Sequence, residues 1–109
     1  MKPSNAEKRE EATPRSAAAP QFRLYVSAAS PASSRAVVNA RRFFQHYLPD
    51  SRLVVLDIAT HVAAARADQI VASPTLVRVF PPPTRRFIGD MSDTRVLRAA
   101  LGLAGPDEG

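Results

Sequence analysis

Three consecutive prolines, Pro81-Pro82-Pro83, stand between two short segments of strand formers, and they constrain the chain more than any other feature. Proline cannot donate to a ladder and its ring fixes φ, so Pro81 and Pro83 end one strand and force a stiff bend before the next. Thr75–Phe80 upstream carries Leu76, Val77 and Val79, and Arg85–Ile88 follows the bend. So short a link predicts antiparallel pairing. Gly89-Asp90 then turns the chain. Ser92 is read as the cap of a last helix, with Asp93 in a first turn that suits the helix dipole. Val96, Leu97, Ala100, Leu101 and Leu103 form its apolar stripe, and Gly102, Gly105 and Pro106 end it.

Upstream, Phe22–Ser27 reads as a first strand. Ser30 followed by Pro31 is an N-cap and a helix-initiating proline. Ala36, Val37, Ala40, Phe44, Tyr47 and Leu48 recur at three- and four-residue steps, which predicts a helix to about Tyr47. The continuous apolar run Leu53–Ile58 fits a strand buried on both faces. Thr60 is the expected cap of a short, Ala-rich helix from His61 to about Asp68. Residues 1–21 hold three prolines and mixed charge and are too polar to support a core, which predicts a disordered tail. Residues 22–104 form one domain, and 105–109 a flexible end. At 109 residues with 45% hydrophobic content, the chain has room for one core.

Charge belongs to the folded part. Residues 22–104 hold eleven Arg against five Asp, a net +6. A basic surface fits an acidic partner. There is no dense Lys/Arg run interleaved with aromatics, so an acidic protein face is favoured over nucleic acid. With no cysteine, disulfides, thiolate metal sites and thiol chemistry are excluded. No apolar run reaches the roughly 18 residues of a membrane span, and no signal-peptide core is evident, so the cytoplasm is expected.

Candidate chemistry is sparse. His46 and His61 lack fitting co-ligands, so no metal is expected. All four glycines lie from Gly89 onward, so there is no phosphate loop and no cofactor is expected. Asp57, at the end of an apolar strand, reads either as a carboxylate of perturbed pKa or, preferably, as an acceptor of backbone amides. Arg78, Arg85 and Arg86 fall on adjacent strands and are expected to cluster on one face. Arginines there can grip carboxylates at an interface or simply guard an edge strand.

Leu24-Tyr25-Val26, Ser30-Pro31-Ala32-Ser33-Ser34-Arg35-Ala36 and the run from Ala72 to Ser92 together resemble the KaiB family of circadian clock proteins, over roughly Phe22 to Leu103. The order β-α-β-α-β-β-α with Pro74 before the third strand resembles the thioredoxin-like α/β fold. The resemblance implies a cis bond before Pro74, although X-Pro bonds are mostly trans. It implies a protein that is not an enzyme, binds the ring ATPase KaiC and opposes KaiA. Partner contacts are implied at Arg35, Gln69, Arg78, Arg85, Arg86 and Asp90. Family members switch fold from about Thr60 onward, between a tetramer and a thioredoxin-like monomer. Pro74, Pro81, Pro83, Gly89, Ala100 and Gly102 are then the positions that decide the fold. Where the family carries Gly and then Asp in the last helix, this chain has Ala100 and Gly102. Alanine favours helix over glycine by roughly 1 kcal/mol, which predicts a chain held in the thioredoxin-like state. Monomer, dimer and tetramer all stay open. So do two other readings: a stand-alone adaptor resembling the KaiB-like sensor domain of a histidine kinase, in signal transduction or stress response, and a thioredoxin-like enzyme remnant without its thiols.

Overall fold

The computed structural model describes residues 19–103. Most of the expected tail and the expected flexible end at 105–109 lie outside the described residues. The described elements are β1 (Gln21–Val26), α1 (Pro31–Tyr47), β2 (Arg52–Asp57), α2 (Val62–Ala67), β3 (Thr75–Phe80), β4 (Arg85–Ile88) and α3 (Thr94–Ala100). They form a four-stranded sheet of order β2-β1-β3-β4. β2 runs parallel to β1, while β3 pairs antiparallel with β1 and β4 antiparallel with β3.

Strand alternation sorts the side chains onto two faces. Phe22, Leu24, Val26 and Leu76 point to one face, where they meet Ala36, Ala40, Phe43 and Phe44 of α1 and Leu97 and Leu101 of α3. Phe22 meets Phe44 edge to face, with ring centroids 4.7 Å apart. The helical stripe read from sequence places Ala36, Ala40 and Phe44 in this core, and the structure adds Phe43. The opposite face carries Arg23, Tyr25, Thr75, Val77, Arg86 and Ile88 and is bonded to α2, which has no buried residue of its own.

The caps explain where the helices begin. Ser30 Oγ accepts the Ser33 amide at 3.1 Å, with Pro31 in the first turn, as the sequence predicts. The last helix is capped by Asp93 rather than Ser92: its Oδ1 accepts the amides of Arg95 and Val96. Of the expected stripe, Leu97 and Leu101, one turn apart, are buried, while Val96 is exposed. α2 is capped by His61, with no side-chain bond, rather than by Thr60, whose hydroxyl turns back to Asp57 O.

β2 also departs from expectation. It is an edge strand, and Val54 is 50% exposed, so the apolar run is not buried on both faces. A six-residue α2 is too short to cover it.

Pro74 follows a cis bond, as do Pro81 and Pro83. Gly89 has φ +140 and donates its amide to Pro74 O at 3.0 Å, tying the turn after β4 to the start of β3. Ala100 is the last residue of α3. Gly102 has φ +74, and a Cβ there would lie 3.0 Å from Arg85 Nε, so glycine allows both the left-handed backbone and the close approach.

Candidate functional site

The arginines of β3 and β4 divide between the two faces. Arg78 lies opposite Arg85 in the ladder, and Arg86 lies opposite Val77. Neighbouring residues on a strand point to opposite faces, so the expected cluster of all three does not form. Arg78 is half-buried and used internally, donating to Pro83 O at 2.9 Å and to Leu101 O at 3.3 Å. It fastens the proline bend to the end of α3. Arg85 slides its guanidinium beneath Gly102. Arg86 is exposed and reaches across the other face to donate to Asp68 O at 2.7 Å.

Asp68 is the centre of that second face. Its carboxylate accepts from Arg23 Nη1 at 2.9 Å and from the Tyr25 hydroxyl, which also lies 3.1 Å from Ala64 O. Burial raises the Tyr25 pKa above its ordinary value, and the bond to Asp68 raises it further. The Asp68 bond likewise holds Arg23 more firmly protonated. Gln69 follows directly with φ 58, which turns the chain out of α2 and leaves its side chain exposed. Gln69 and Arg86 thus border the same polar knot.

Arg35 and Asp90 meet at the far end of β4. Arg35 Nε donates to Asp90 Oδ2 at 3.1 Å. Asn39 donates to Asp90 O at 2.8 Å, and Asp90 Oδ1 accepts the Ser92 amide. The Arg35 guanidinium and the Ser92 bonds hold the Asp90 carboxyl below its usual range. This pair pins α1 to the turn before α3.

The six sequence-predicted contact residues therefore fall into three groups: Arg86 with Gln69, Arg85 with the internal Arg78, and Arg35 with Asp90. Sequence reasoning missed Asp68, Tyr25, Arg23 and Asn39 as a polar framework. Asp68 and Tyr25 are 43 positions apart, and no spacing rule joins them. Asp57 takes the preferred role, its Oδ1 accepting the Ala59 amide at 2.8 Å. Among the described residues, no three His, Cys, Asp or Glu side chains group as a metal site. No helix there is long and apolar enough to cross a membrane.

The same arrangement recurs in solved structures. Fasciola hepatica thioredoxin superposes with a TM-score of 0.67 at 14% identity, covering 91% of this chain and 94% of that one. The Drosophila melanogaster thioredoxin Deadhead gives 0.66 at 13%, covering 89% of each. Likeness at this identity shows the fold, which is thioredoxin-like. Sequence relatives are more specific. The Synechococcus sp. (strain RCC307) protein named circadian clock oscillator protein KaiB is 39% identical over 83 residues, 75% of this chain and 74% of the relative. The Synechocystis sp. (strain PCC 6803) circadian clock protein KaiB3 is 38% identical, covering 75% of this chain and 79% of its own. The KaiB domain model matches residues 23–103, nearly the whole described chain, and the protein therefore belongs to the KaiB family.

Proposed function

We propose that this chain is a non-catalytic clock protein that binds a KaiC-like ATPase and changes its phosphorylation or ATPase cycle. The observation that carries the reading is the KaiB domain match over residues 23–103, together with 39% identity to a circadian clock oscillator protein. The proposed contact surface is the exposed pair Arg86 and Gln69, with the half-buried Arg85 on the other face of β4 and Arg35 and Asp90 at the far end. Guanidinium groups there suit the carboxylates of an acidic protein face. Arg78 is given a supporting part, because both of its bonds are internal. The thioredoxin-like arrangement, with Ala100 inside α3, is proposed as the binding state.

Co-purification with the host's KaiC-like ATPase and ATP tests this reading. Arg86→Glu reverses the charge of an exposed side chain, and retention of the ATPase is expected to fall about tenfold or more. Arg85→Glu is expected to act in the same direction. Equal retention by the wild type and both variants would remove the arginine rim from the interface. No retention of the wild type at all would overturn the function. A second slowly exchanging set of NMR signals from Thr60 onward would overturn the single binding-ready state.

A further inference from the structure

Tyr25 carries an inference that deepens the contact surface and rests on the ATPase reading. Its strand, β1, is paired on both sides, with Tyr25 opposite Leu56 of β2 and Thr75 of β3. The ring is fully buried. The hydroxyl is therefore carried by a backbone held from both sides. It donates to Asp68 Oδ2, and Ala64 O lies 3.1 Å away. Packing does little to place α2, which buries no side chain and whose N-cap residue, His61, makes no side-chain capping bond. Arg23 also reaches Asp68, but its long side chain is 39% exposed, so it is the softer tether.

Asp68 passes that placement on. Its main-chain O accepts Arg86 Nη2 at 2.7 Å. The next residue, Gln69, has φ 58, and two bonds close the turn: Gln69 N–H to Arg66 O at 3.0 Å and Ile70 N–H to Ala65 O at 2.9 Å. Both exposed members of the proposed contact are thus set by one residue. The bond to Asp68 spends one N–H of Arg86 and leaves the rest of its five-donor guanidinium for a partner's carboxylate.

We propose that Tyr25 is a positioning residue for that contact: its hydroxyl, through Asp68, holds Arg86 and Gln69 in the arrangement that receives an acidic partner. Without the hydroxyl, both side chains have to be ordered when the partner binds, and that ordering costs affinity.

Tyr25→Phe removes the hydroxyl and keeps the buried ring, and circular dichroism checks that the variant folds. Its affinity for the host's KaiC-like ATPase, with ATP, is expected to fall about fivefold, the worth of one hydrogen bond. A double-mutant cycle separates positioning from general loosening. After Arg86→Ala and Gln69→Ala together, Tyr25→Phe is expected to cost nothing more. After Arg35→Ala, whose bond to Asp90 lies at the far end, it is expected to cost the same factor as in the wild type. A second arm needs no ATPase. In the free chain, Tyr25→Phe is expected to lower the NMR order parameter of Arg86 Nε and to quicken amide exchange at Gln69 and Ile70. Arg78, bonded to Pro83 O and Leu101 O, is expected to keep its order. Unchanged Arg86 order with unchanged exchange at Gln69 and Ile70 would overturn the proposal, whether or not the ATPase binds. So would equal losses of affinity in the Arg86/Gln69 and Arg35 backgrounds. A wild type that the ATPase does not retain, but whose Arg86 loses order in Tyr25→Phe, would overturn the ATPase reading and support the placement of Arg86 by Tyr25.

Discussion

On one face of the sheet, α1 and α3 lay Ala36, Ala40, Phe43, Phe44, Leu97 and Leu101 onto Phe22, Leu24, Val26 and Leu76. On the other, where Tyr25, Thr75 and Val77 of the sheet are buried, no side chain of α2 is itself buried, and the helix is tied down by Asp68, which gathers Arg23, Tyr25 and Arg86. The first face is held by non-directional burial, which tolerates small shifts but not lost volume. The second is held by a few directional bonds, each of which fails completely when one partner is removed. An element held in the second way is the more easily released, because few apolar contacts oppose its opening.

Phe44→Ala strikes the first face and has the largest expected effect. It leaves a cavity beside Phe22 and Phe43 and is expected to lower unfolding stability by about 3–5 kcal/mol, read from urea denaturation. Protection of α1, α2 and the strands should fall together. Asp68→Ala strikes the second. It leaves the Tyr25 hydroxyl and Arg23 without their shared acceptor, with an expected loss of about 1–3 kcal/mol. Here the loss should be local. Amides such as those of Ala65 and Asp68, which bond within α2 and its end, should exchange much faster while those of α1 change little. A uniform rise across the chain would show that the polar knot is as central as the apolar core and would break the comparison.

The two faces also differ in how legible they are in the sequence. The apolar face follows a periodicity, so spacing alone places Ala36, Ala40 and Phe44 in the core, and Phe43 escapes only because the stripe is wider than its strictest pattern. Ser30 and Pro31 mark the start of α1 by local chemistry alone. The proline bend and the antiparallel β3–β4 pair are equally legible, because Pro81 and Pro83 act on the backbone where they stand. Edge position is not legible: Leu53–Leu56 reads like a central strand, and only the sheet order exposes Val54. Nor is the Asp68 knot, since its members meet through the fold and obey no local spacing. Arg78, Arg85 and Arg86 show the same limit, because only the ladder register separates one face from the other.

Gly102→Ala sharpens the boundary between the faces. Gly102 closes α3 over Arg85, at the rim where the apolar core ends and the arginines begin. A Cβ there demands the left-handed backbone of a residue that disfavours it and presses on the guanidinium. A loss of about 1 kcal/mol or somewhat more is expected, with fraying confined to the end of α3. An unchanged urea midpoint would mean that the Arg85 side chain swings aside without loss.

The smallest effects are those of pH, and they have opposite signs on the two ties. Tyr25 holds its proton more tightly when folded than at its ordinary value of 10.0. As pH rises past that value the unfolded tyrosine ionises first, so the contribution is complete below it and is lost as pH climbs through the raised folded value. Asp90 behaves in reverse. Its folded carboxyl lies below its ordinary 3.8, so its contribution is complete above that value and is lost as pH falls toward the lowered one. The urea midpoint measured against pH should therefore decline at both ends. Tyr25→Phe should flatten the alkaline limb alone, and Asp90→Asn the acid limb alone. Added salt should weaken the Asp90 limb more, because Arg35 is largely exposed while Tyr25 is buried. Equal salt sensitivity of the two limbs would mean that the Tyr25 tie is open to solvent, and that the second face is looser than the bonds to Asp68 make it.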